Sequence, residues 1–210
     1  MGKLIYGMSV SLDGFIDTPS HSLDWALVDD ELHSHFNDQA REISASLYGR
    51  RMYELMMDYW PTAETDPEAA PAEVEYAGIW KNTPRIVFSR TLTGVDPGSR
   101  LVRDDPVEEV TRLKAQPGFD MDVGGASLAS TLIRAGLVDE YRISIHPVIL
   151  GAGTPFFPGL EDRIGLKLVE TRTFDSGVVY LRYERRRSAR MGARVDLEDK
   201  EAVRRVIDGK

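Results

Sequence analysis

Gly124 and Gly125 separate a short extended run from a helix-forming one in FDMDVGGASLASTLIRAGL. A strand that turns into a helix presents free backbone N–H groups and the positive end of the helix dipole, and glycine lets an anion come close to both. Such a turn suits a phosphate or a carboxylate. The plain alternative is a turn that needs positive φ and binds nothing. Gly49-Arg50-Arg51 repeats the design with two guanidinium groups, and Ser89-Arg90 closes another extended run with a hydroxyl and a third guanidinium. Arginine forks match phosphate oxygens in pairs, so arginines gathered on one sheet edge favour a ligand with an additional phosphate monoester, as NADP has on its ribose. Taken alone, Arg50 and Arg51 pair equally well with surface acids.

Asp13, in SLDG, is a candidate acid, because a partly buried carboxyl with a raised pKa can supply a proton. Asp-Gly is also a common turn. Trp25 and Phe36 offer flat faces on which a heterocycle can stack; the alternative is that one covers the core and the other belongs to it. His33 and His35 are two residues apart and lie on different helix faces, a poor metal pair, and no metal site is expected.

These residues need elements to position them. KLIYGMSV (3 to 10) reads as a buried strand, and Asp29 or Asp30 as the N-cap of a helix running to about Ser44. A strand-to-helix turn follows at Gly49, then an acidic Ala/Pro-rich excursion over 62 to 73 and a short helix over 73 to 81. Strands are expected at 84 to 92, 99 to 105 and 119 to 123, with a helix from Pro106 to a Pro-Gly stop. A helix after Gly125, a strand at 141 to 151 and a hairpin around Asp175-Ser176-Gly177 complete the order. Alternating strands and helices ending in a strand pair predict one α/β domain over residues 1–187, its sheet mainly parallel with an antiparallel C-terminal end. Residues 188–210 read as a tail with a short amphipathic helix.

The chain has 210 residues, no cysteine and a net charge of -8. That length fits one domain, and the missing thiols exclude disulfides and cysteine nucleophiles. The acidic balance argues against nucleic acid, and the six-arginine run at 182 to 194 reads as a solvated strand end. No stretch suits a signal peptide or a membrane span, so a cytoplasmic protein is expected. The Rossmann fingerprint G-x-G-x-x-G with an acid about 20 residues later is absent; a dinucleotide would need a different fold.

MSVSLDGFI (8 to 16), LYGRRMYE (47 to 54), IVFSRTL (86 to 92) and above all VGGASLASTLIRAGLVDEYRISIHPVILGAGTPFF (123 to 157) resemble bacterial reductases built like the C-terminal domain of the bifunctional riboflavin-biosynthesis deaminase/reductase, within the dihydrofolate-reductase-like superfamily. The resemblance covers residues 3 to 186. It implies a three-layer α/β fold with about eight strands, NADPH as hydride donor, a small heterocyclic or imine-type substrate of the pterin or pyrimidine-precursor kind, and a homodimer. Matched residue by residue, it implies that Gly49, Arg50, Arg51 and Met52 hold the adenosine end and pyrophosphate. Ser89 and Arg90 then lie near the 2'-phosphate, and Gly124, Gly125, Ala126, Ser127 and Leu128 lie under the pyrophosphate and nicotinamide. Ser9, Ile16, Trp25 and Phe36 are expected to bound the substrate, with Asp13 beside them. Three departures stand out: Met52 where the family has Thr, the acids Asp120 and Asp122 in a strand that should be apolar, and the unmatched segments 62 to 76 and 188 to 210. The rivals are a dihydrofolate reductase proper, which needs an acid on the first helix (Asp30, Glu31, Asp38 or Glu42), and a non-catalytic NADP(H)-binding sensor.

Overall fold

The computed structural model describes residues 1–186. The tail expected at 188–210 lies outside them. Eight strands form one sheet: β1 (Leu4–Ser11), β2 (Ala45–Gly49), β3 (Arg85–Phe88), β4 (Ser99–Val102), β5 (Met121–Gly124), β6 (Glu140–His146), β7 (Leu166–Thr173) and β8 (Val179–Arg185). Their spatial order is β4-β3-β2-β5-β1-β6-β8-β7. The pairings from β4 to β6 are parallel, and β8 joins β6 and β7 antiparallel. This is the expected sheet with its antiparallel end.

The helices are α1 (Asp30–Arg41), α2 (Arg50–Tyr59), α3 (Pro71–Asn82), α4 (Pro106–Lys114) and α5 (Ala126–Arg134). Strand side chains alternate between two faces. On one face Leu4, Tyr6, Leu47, Met121 and Val123 pack with Val110 of α4 and Leu132 of α5. On the other, Tyr48 and Val87 pack with Met56 of α2 and Trp80 of α3. Asp29 caps α1 by accepting from the Leu32 amide at 2.8 Å, and Asp105 caps α4 through the Val107 amide at 2.8 Å.

One stretch departs from the sequence reading. The acidic segment holds a 3-10 turn at Ala63–Thr65 and then α3, which starts at Pro71. Pro71 suits the first helical turn, and the Glu73 carboxylate accepts from the Ala70 amide at 2.8 Å. The helix is held by tertiary contacts with α1, where the Asn37 amide donates to Ala72 O at 2.9 Å and to Glu75 Oε2 at 2.8 Å. Among the described residues no helix is long and apolar enough to cross a membrane.

Candidate active site

Because β2 and β5 are neighbours, with Tyr48 opposite Gly124, the helices that follow them start side by side. Both start on glycine, Gly49 for α2 and Gly125 for α5, and neither has a side-chain cap. First-turn N–H groups are therefore left without an internal partner, in a cleft of about 620 Å³ at the C-terminal edge of the parallel strands. That is where open α/β sheets place their ligands. Gly49, Arg50, Arg51 and Met52 line it together with Gly125, Ala126, Ser127 and Leu128.

The two helix-start glycines differ in what requires them. Gly49 has φ -73, which any residue adopts, and a Cβ there would meet only Leu128 Cβ, at 3.9 Å. The protein's own packing thus leaves the space over Gly49 open. Gly125 has φ 97, a left-handed value that disfavours any side chain. Gly124 lies outside the lining of the cleft: a Cβ on it would sit 2.9 Å from Met52 Cγ and 3.1 Å from the Tyr48 ring. Its close neighbour is the protein itself. Met52 occupies that ground, which gives it a packing role.

The cleft's charges are partly committed. Arg51 donates to Asp17 Oδ2 at 2.6 Å, and Arg50 to Glu54 Oε1 at 2.8 Å and Thr91 Oγ1 at 3.1 Å. Burial raises the Asp17 carboxyl, but hydrogen bonds from Thr154, Arg51 and His21 outweigh it and hold the group below its ordinary value. Ser89 stands at the end of β3 with its hydroxyl accepting from the Thr91 and Leu92 amides. Arg90 is exposed beside it. Both residues flank the cleft through Thr91 and do not line it.

A second, smaller cavity of about 290 Å³ opens on the face covered by α1, α2 and α3. Ser9, Phe36 and His33 are among the residues that line it. Ile16 lines the cleft instead. Trp25 lines neither space; its ring stands edge-on to the His146 ring, with centroids 5.5 Å apart. Asp13 lines neither as well. It accepts from the Ser11 hydroxyl at 2.6 Å and from the Leu150 and Gly151 amides at 3.1 and 2.7 Å. The Ser11 contact first, then the amides, hold its carboxyl below the ordinary value. Asp13 is a turn residue that pins the 150–151 loop.

The acid inside the cavity is Asp122 on β5. It lies opposite Ile5 of β1 and Ser46 of β2, near the middle of the sheet. Burial pushes its carboxyl up to about 6, against the lowering effects of Ser46 and of the Arg142 guanidinium. Its Oδ1 is buried and accepts no hydrogen bond among the described residues. Asp120, two residues earlier, sits at the rim and accepts from the Lys3 amide at 2.7 Å. The alternation Phe-Asp-Met-Asp-Val flags both acids as out of place and does not say which one faces inward. Of the first-helix acids, Asp38 pairs with Arg41, Glu31 with Arg172 and Glu42 with Arg142; none lines the cavity. Met8 and Met52 line both spaces. Among the described residues no group of His, Cys, Asp or Glu is placed to hold a metal ion.

Residues 2–180 match the model of the RibD C-terminal domain. A relative in Bacillus subtilis, the uncharacterized protein YyaP, is 42% identical over 182 residues, covering 86% of this chain and 94% of its own. Among solved structures, a proposed riboflavin biosynthesis protein of Shewanella sp. PV-4 superposes with TM-score 0.71 at 22% identity, over 88% of this chain and 99% of the other. A dihydrofolate reductase from Enterococcus faecalis does so with TM-score 0.60 at 18% identity, over 89% and 98%. These likenesses establish the dihydrofolate-reductase-like fold. With its match running nearly from end to end of the described residues, the chain belongs to the RibD C-terminal domain family.

Proposed function

We propose that the protein is an NADPH-dependent reductase that transfers hydride to a small heterocyclic or imine-type substrate. The observation that carries this reading is the meeting of two differently lined spaces across Met8 and Met52: a cleft at two uncapped helix starts and a cavity lined by aromatic rings. The cleft's residues fit a dinucleotide. Gly49 and Gly125 leave backbone within reach of a pyrophosphate, and the α2 and α5 N–H groups and dipoles favour its charge. Arg50 and Arg51 supply guanidinium groups, with Ser89 and Arg90 at the flank for the 2'-phosphate, and Gly124 shapes the wall through Met52. Ala126, Ser127 and Leu128 form the floor on which the nicotinamide end rests. The cofactor supplies the hydride; this chain's residues supply placement and local electrostatics. Ser9 and Phe36 bound the substrate, with Ile16 at the junction and Trp25 behind the loop.

Thermal unfolding with NADPH, NADH or no ligand tests the reading. Saturation at a hundred times Kd stabilises a fold by about 2.7 kcal/mol. The expected result is a larger shift with NADPH than with NADH, reduced by Arg50→Ala and Arg51→Ala. No shift with either nucleotide would sink it. Consumption of NADPH with a panel of pterins and pyrimidines separates an enzyme from a sensor. Sedimentation at micromolar concentration tests the homodimer that the family resemblance implies.

A further inference from the structure

Asp122 is the single carboxylate lining the inner cavity among the described residues. A buried carboxylate oxygen without a donor is costly, and the cost is relieved by protonation or by a cation beside it. The nearest candidate cation, Arg142, is already engaged: its Nε donates to Glu140 Oε1 at 2.7 Å, and its second amino group faces Glu42 Oε2 at 3.4 Å. Glu140 also meets Lys3 Nζ at 3.2 Å. The guanidinium charge is therefore already answered by two carboxylates, and its lowering effect on Asp122 does not offset burial.

The walls point the same way. His33 and Phe36 of α1, Trp60 beyond α2 and Tyr76 of α3 bring aromatic rings to the space, and aromatic rings attract cations. About 290 Å³ holds one or two fused rings. The titratable and charged groups around Asp122 come from several elements: Arg142 from β6, Tyr48 from β2, Tyr76 from α3, Tyr180 from β8 and His33 from α1. Burial raises all three tyrosines, Tyr180 to about 12, so they stay neutral across the working range.

We propose that Asp122 is the acid of this site: it protonates the C=N nitrogen of a planar, weakly basic heterocycle and then holds the resulting cation. The inference rests on reading the cavity as the substrate's place. In the step, the carboxyl O–H bond breaks and an N–H bond forms using the nitrogen lone pair. The C=N π pair is kept, and the carbon becomes more electron-poor and thus readier to accept hydride. The carboxylate remains as the counter-ion and takes a proton back from water once the product leaves. The substrate class is accordingly a ring imine or amidine, in preference to a uniformly acidic or acceptor-only ring.

Benzamidine, a flat amidinium that stays charged, and benzamide, its neutral counterpart, probe the site by calorimetric titration at pH 8 and pH 5. The expected result is benzamidine binding to the wild type at pH 8, about tenfold weaker at pH 5 where most Asp122 is protonated. Benzamide should bind more weakly and without that pH dependence. Asp122→Asn should lose at least tenfold at pH 8 and lose the pH dependence, while His33→Gln keeps it. The proposal is overturned if Asp122→Asn binds benzamidine like the wild type, if the pH dependence follows His33 instead, or if the wild type binds no benzamidine at pH 8. An NADPH thermal shift run on each variant reports on the fold and the cleft alone. Loss of that shift in the wild type with benzamidine binding intact would remove the reductase reading and leave the cation site standing. The two wild-type titrations decide the matter even if Asp122→Asn does not fold.

Discussion

The cleft and the inner cavity lie on either side of Met52 and are built in opposite ways. The cleft is made of backbone at two helix starts, with acids and arginines already paired around it. The cavity is made of side chains from the sheet and from α1, α2 and α3, with one acid short of donors at its centre. A site made from helix starts binds by geometry that the fold supplies for its own reasons. One made from a buried carboxyl holds its group against the fold's preference, at a cost in stability.

The strongest way to break the comparison is to damage what the two regions share. Gly124→Val should cost about 2–3 kcal/mol in urea denaturation, because the new atoms meet Met52 and Tyr48 in a packed wall. A cost near zero would mean that Met52 yields freely and that the two spaces are not held apart. Next comes the charge in the cavity. The carboxyl of Asp122 is raised on folding from 3.8 to about 6, so the stability it contributes is fully present below about pH 4 and is lost as pH rises through 6. Asp122→Asn should therefore gain about 1–3 kcal/mol over the wild type at pH 8 and nothing at pH 4. A gain that is flat with pH would contradict the burial argument. At the flank of the cleft, Arg90→Ala should weaken NADPH binding about tenfold, near 1.4 kcal/mol, with a smaller effect on NADH. Equal losses for both would move the 2'-phosphate elsewhere, and Arg51→Ala, expected to weaken both nucleotides alike, is the variant to compare. The smallest effect belongs to Asp13→Asn, expected to leave the benzamidine pH dependence unchanged, because Asp13 faces the 150–151 loop. A shifted pH dependence in that titration would return it to the site.

What the sequence makes legible follows the same division. Strand ends and helix starts carry local signals, so the Gly49 and Gly125 turns, the Asp29 cap, the helix start at Pro106 and the terminal strand pair can all be read from one stretch of chain at a time. The start of α3 was not legible: Glu, Ala and Pro around Pro71 leave no apolar stripe, and the helix depends on contacts with α1 thirty-odd residues earlier. The cavity is harder still, since Ser9, Phe36, Asp122 and Tyr180 meet only through the strand order. Asp122 announced itself as an anomaly of pattern. Its placement needed the parity of β5 relative to β1 and β2, which sets Met121 and Val123 toward α5 and Asp122 toward α1. Asp13 misled for the complementary reason, because a family resemblance gives a residue's neighbourhood and does not give the partners of its oxygens.

Met52 ends in a flexible thioether and lines both spaces. A partition one side chain thick makes neighbours of two occupants that never touch. Whatever displaces it from the cleft changes the room left in the cavity, and thermodynamic reciprocity requires the inner occupant to alter affinity in the cleft by the same factor. Any coupling between an occupant of the cleft and one of the cavity would thus run through a methionine with no chemistry of its own.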